Sequence, residues 1–71
     1  MKREPVKSTN IASAGYEDGV LEVEFKSGKV YRIKDVEPGE YFDFVTARSV
    51  GGYFAQHLRG RPSELVTEEK A

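Results

Sequence analysis

Arginines and aromatic rings are the side chains in this sequence with chemistry to offer. Arg48, His57, Arg59 and Arg61 gather around Tyr53 in the last third of the chain. A guanidinium presents a planar fork of donors to a phosphate or carboxylate, and an exposed ring is a face on which an unpaired base stacks. The pairing is therefore suited to an anionic ligand, RNA in particular. The same cations also suit a solvated helix end, where they favour the negative pole of the helix dipole. A second basic group lies in "KSGKVYRIK", where Lys26, Lys29, Arg32 and Lys34 surround Tyr31, with Glu22 and Glu24 placed upstream to offset them across strands. The candidate binding residues are Arg32, Arg48, Tyr53, His57, Arg59 and Arg61.

Catalysis finds no support in the pattern. His57 is the single histidine, cysteine is absent, and no serine or paired carboxylate is spaced to form a nucleophile system with it. Gly51-Gly52 lacks the downstream Gly-Lys-Ser/Thr of a phosphate loop. Glu37, Glu40 and Asp43 suit the start of a helix better than a metal ion. A binding module that is not an enzyme and needs no metal or cofactor is the expectation. With 11 basic against 12 acidic residues the chain is not a generally basic nucleic-acid binder. No apolar run reaches the roughly 18 residues of a membrane span, and no apolar stretch follows the basic N-terminal residues, so a cytoplasmic protein with no membrane contact is expected.

The elements that must carry these residues read clearly. A chain of 71 residues supports one domain. Residues 1–8 and 62–71 are polar and broken by proline, and are expected as flexible tails around a domain of residues 9–61, the C-terminal tail being acidic. "IASAGY", "VLEVEF" and "VYRI" alternate apolar and polar residues and are separated by "EDG" and "KSGK", which predicts a three-stranded antiparallel meander. A three-residue Lys26-Ser27-Gly28 loop sets Val23 opposite Tyr31, Leu21 opposite Ile33 and Glu22 opposite Arg32. Tyr31 then faces the core and Arg32 faces solvent. In the first hairpin a two-residue Asp18-Gly19 turn puts Tyr16, Ala14 and Ala12 inward, a three-residue turn puts Ile11 there, and a bulge at Gly15 would admit both Ile11 and Tyr16. Tyr41, Phe44, Val45 and Arg48 then recur at helical spacing in a helix opened near Pro38. Ser49 caps a second helix whose common face carries Phe54, His57 and Leu58, ending at Gly60 and Pro62. The expected fold class is α+β, a three-stranded meander followed by two short helices packed on one face.

The run "STNIASAGYEDGVLEVEFKSGKVYRI", then Val36, then "YFDFVTARSVGGYF", resembles the KTSC domain, a short module found at the end of some lysyl-tRNA synthetases and alone in bacterial and phage proteins. The likeness covers nearly all of residues 9–61, and its more specific parts are Tyr16, the Leu-x-Val-x-Phe strand, the Ser-Gly turn into Tyr31, and Ala47 through Phe54. The resemblance implies a family of unknown function in which RNA binding is suggested from the synthetase fusion. Three positions depart from the family: Ile33 replaces the second tyrosine of Tyr-x-Tyr, Val36-Glu37-Pro38 replaces Val-Pro, and Arg61-Pro62 replaces an aromatic after the helix. A stacking role for the second tyrosine does not carry over. The leading expectation is contact with RNA or an RNA-containing complex; the rival is docking on a protein, as in a bacterial or phage accessory factor.

Overall fold

The computed structural model describes residues 3–66. Its centre is the expected meander: β2 (Ile11–Glu17), β3 (Val20–Phe25) and β4 (Val30–Ile33). Asp18 and Gly19 close the first hairpin with φ of 52° and 79°, the two left-handed residues of a turn whose twist matches that of the strands. Tyr16 then faces Leu21 and Ala14 faces Val23. Ile11 and Ala14 are both core residues yet lie an odd number of positions apart, so one residue between them must leave the ladder. Ala12 does so, and the register shifts between Ile11 and Ser13. Of the alternatives open for this hairpin the two-residue turn is the one formed, and the bulge that admits Ile11 sits at Ala12 and not at Gly15, because Ala14 and Tyr16 already share parity across Gly15.

The second hairpin has the expected odd-length loop. Phe25 donates its amide to the Lys29 carbonyl at 2.8 Å, Gly28 donates to the Phe25 carbonyl at 2.9 Å, and Gly28 has φ of 102°. Val23 lies opposite Tyr31, Leu21 opposite Ile33 and Glu22 opposite Arg32.

The segments expected as tails instead extend the sheet. β1 (Glu4–Pro5) pairs with β2, and β5 (Ser63–Val66) pairs with β4, giving a five-stranded antiparallel sheet in chain order. Composition reports whether a segment can bury its own apolar surface; an edge strand needs only main-chain partners, and the sheet supplies them. Residues 1–2 and 67–71 of those tails lie outside the described residues.

α1 (Pro38–Val45) opens with Pro38 in its first turn, and the Glu40 carboxylate accepts the Glu37 amide at 3.2 Å. It ends earlier than its spacing predicts: Thr46 turns its hydroxyl and amide back on the Phe42 carbonyl at 2.7 and 3.0 Å, so Arg48 falls in the connection. α2 (Val50–Tyr53) is capped by Ser49, whose hydroxyl accepts the Gly52 amide at 3.0 Å. A Cβ on Gly52 would lie 2.8 Å from that hydroxyl, which explains glycine there. The helix continues through a π turn, Phe54–Leu58. Phe44, Val50, Phe54 and Leu58 press on Ile11, Ala14, Leu21, Val23 and Ile33, so one face of the sheet is covered and the other carries charge.

Candidate nucleic-acid interface

The helices bury Ile33 on β4, whereas Tyr31 on the same strand is half-buried and Leu65 on β5 is half-exposed. Tyr31, on the covered face, is half-buried with its ring edge-on to Phe25 at 5.8 Å; Phe25 is in turn edge-on to Phe54 at 5.3 Å. These rings wall a cleft of about 350 Å³ whose rim carries Lys29, Arg59 and Ser63. Leu65, opposite Tyr31 on β5, is 48% exposed beside it. Neither Lys29 nor Arg59 forms an ion pair with a described residue. Aromatic walls with unpaired cations on the rim can hold a flat heterocycle that carries negative charge.

Arg59 reaches this cleft through the π turn. Its amide donates to the Phe54 carbonyl at 2.7 Å, five residues back, which stacks Arg59 one wide turn beyond Phe54. In an α-helix of 3.6 residues per turn the two would point in different directions. The same turn keeps Phe54 and Leu58 in the core while His57, expected on their face, is exposed. His57 lies against Tyr53 on the outer flank, ring centroids 4.4 Å apart, and Tyr53 tilts onto Phe44 at 6.1 Å.

The remaining candidates occupy other places. Arg32 is on the far face, where its Nε donates to Glu22 at 2.8 Å; Arg3 holds the other carboxylate oxygen at 3.1 Å. Glu22 is only 6% exposed, and Glu64 faces Arg32 from β5, so charges alternate from Arg3, just before β1, to Glu22 on β3, Arg32 on β4 and Glu64 on β5. The hydrogen bond to Glu22 and its charge hold the Arg32 guanidinium above its ordinary value. Arg61 is ion-paired with Glu40 and donates to the Asp35 carbonyl at 3.3 Å, which ties the exit of the second helix to the start of the first. Arg48 lies beside Lys7, Asn10 and Ser49 in a polar hollow lined by no aromatic ring among the described residues.

The six candidates thus divide among several surfaces, with Arg59 alone at the aromatic cleft. Phe25, Lys29 and Tyr31 were not among them. Their signal was present in the basic residues flanking the Ser27-Gly28 turn, but only the arrival of β5 and Arg59 beside them makes a cleft. Among the described residues no group of three or more histidine, cysteine or acidic side chains is placed to hold a metal ion. No helix among them is long and apolar enough to cross a membrane.

Two short helices on one face of a five-stranded antiparallel meander define a small α+β domain. The KTSC domain family matches residues 7–61, and the chain belongs to that family. An uncharacterized protein of Stutzerimonas stutzeri is 41% identical over 58 residues, spanning 79% of this chain and 82% of its own length. The crystal structure of a KTSC domain protein from Yersinia pestis superposes with a TM-score of 0.85 at 30% identity, covering 93% of this chain and 97% of that one.

Proposed function

We propose that this protein is a non-enzymatic, cytoplasmic binding module for single-stranded RNA, and that an unpaired base enters the cleft between Tyr31 and Arg59. The observation that supports this most is the meeting of the Phe25, Tyr31 and Phe54 rings with two unpaired cations, Lys29 and Arg59, and with no carboxylate among the described lining residues. Base stacking on such a ring contributes about 1–3 kcal/mol, and the flanking cations meet the adjoining phosphates. The far-face arginines are engaged by Glu22 and are left out of this reading.

Titration of a fluorescently labelled oligouridylate at low salt tests it. Tyr31→Ala and Arg59→Ala should each weaken binding by about tenfold, the loss expected for about 1.4 kcal/mol. Wild-type protein that leaves the probe unbound sinks the reading. Half-exposed Leu65 beside Tyr31 favours a second possibility, docking of an apolar peptide on the β5 edge. That reading predicts that Leu65→Lys abolishes capture of a discrete partner and that RNA is not retained at low salt.

A further inference from the structure

We infer that the aromatic cleft is one end of a longer path for the RNA backbone, which runs past Lys26 and Asn10 to Lys7 and Arg48; the inference rests on RNA being the ligand of the cleft. The cleft shares Phe25, Ser27 and Arg59 with an adjoining hollow of about 310 Å³ that also touches Thr9, Asn10 and Lys26. That hollow shares Thr9 and Asn10 with a third, of about 320 Å³, bordered by Lys7, Arg48 and Ser49. The three hollows thus adjoin one another in turn through shared lining residues.

Charge separates this path from the rest of the surface. Lys7, Lys26, Lys29, Arg48 and Arg59 line it, and none makes an ion pair with a described residue. No carboxylate lines it among the described residues, although the chain has 12 acidic side chains. A neighbouring depression beyond Ser63 has the opposite character: Asp35 and Glu64 border it, and its Arg32 and Arg61 are ion-paired with Glu22 and Glu40. Acidic partners neutralise the arginines there and are missing along the path. A protein of net charge −1 thereby holds a local positive track.

The walls of the track are tied to each other. The Ser8 hydroxyl accepts the amides of Asn10 and Ile11, both at 3.2 Å, and Lys26 donates its amide to the Asn10 carbonyl at 2.8 Å. The loop before β2 and the turn after β3 are therefore one unit. Tyr31 and Phe54 line only the cleft end, whereas the middle, beside Phe25, carries Thr9, Asn10 and Ser27, groups suited to sugar hydroxyls and phosphate oxygens. One end grips a base and the remainder follows the backbone.

Labelled oligouridylates of two and eight nucleotides, titrated across a range of salt with the full chain, test this. Single-strand binding loses about 0.7 in the slope of log affinity against log salt per phosphate neutralised. The octamer should therefore show a slope steeper than the dinucleotide by about 2, for the three cations outside the cleft. The double variant Lys7→Ala, Arg48→Ala should remove about 1.4 of the octamer's slope and leave the dinucleotide unaffected. Equal slopes for the two probes, or a variant that acts equally on both, would overturn the path while leaving the cleft intact as a site. Failure of both probes to bind removes the cleft reading, and the path with it.

Discussion

Arg59 donates its amide to the carbonyl of Phe54 at 2.7 Å, and the two side chains border the same cleft. The wide turn between them joins the core to the proposed binding surface, since Phe54 is buried while Arg59 is exposed. Arg59→Ala should change folding stability by less than about 0.5 kcal/mol, as is usual for an exposed side chain without a partner. Its salt slope on an oligouridylate should fall by about 0.7. A large drop in the urea midpoint would instead make Arg59 a structural residue.

Gly28 fixes the loop that turns Tyr31 inward. Its φ of 102° is a conformation L side chains rarely adopt, and a Cβ there would meet nothing within 4 Å. Gly28→Ala should therefore be destabilising through the backbone alone, by about 1–2 kcal/mol. Urea denaturation measures this; an unchanged midpoint would mean the loop relaxes to a different turn at no cost.

Glu22 is the buried charge of the far face, gripped from both sides by Arg3 and Arg32. Glu22→Gln keeps the shape and removes the charge, which should lower stability by about 1–2 kcal/mol, the difference between charge-assisted and neutral hydrogen bonds with desolvation offset by the partly exposed partners. The loss should shrink at high salt. RNA binding at the cleft should be unchanged, and a large binding loss would place the ligand on the far face.

The phenols of Tyr16 and Tyr41 stack at 5.1 Å, and both are pushed above their ordinary value: Tyr16 by burial and then by Glu37 and Glu40, Tyr41 by burial and then by Glu4. A raised folded-state value means that the neutral form is the one the fold favours. The contribution is whole below about pH 10, the unfolded value, and is lost as pH rises through the higher folded values. Tyr16 also donates its hydroxyl to the Val36 carbonyl, a bond that its phenolate cannot make. Denaturation midpoints should fall above about pH 10, less steeply in Tyr16→Phe. Parallel alkaline limbs in the two proteins would contradict this.

How much of this was legible in the residues varies by element. The parity of Leu21, Val23 and Phe25 against Tyr31 and Ile33 determined the second hairpin, because a one-residue slip would have turned an apolar face to water. Asp18-Gly19 read as a turn, but its length and a bulge at Gly15 stayed open, and the bulge falls at Ala12, since bulge position depends on which inward residues the helices demand and not on where a glycine happens to lie. Arg48 read as helical because its spacing from Tyr41, Phe44 and Val45 continues the period; Thr46 ends the helix by bonding back on Phe42, a local competition that periodicity does not register. Of the candidate site, Arg59 was visible as a cation and Tyr31 as an inward ring, yet their meeting was not.

The chain's own pattern determined the meander, the register of its second hairpin, the capped second helix and the α+β class, because each follows from interactions a few residues apart or from the need to bury one face. Tertiary structure alone decided that residues expected as tails extend the sheet, that Glu22 and Glu40 absorb Arg32 and Arg61, and that Lys29 and Arg59 stand beside Tyr31 without an ion-pair partner among the described residues. Those outcomes depend on which distant residues become neighbours. Charge is carried by the sequence, but whether a given charge is free to bind is settled by what folds against it.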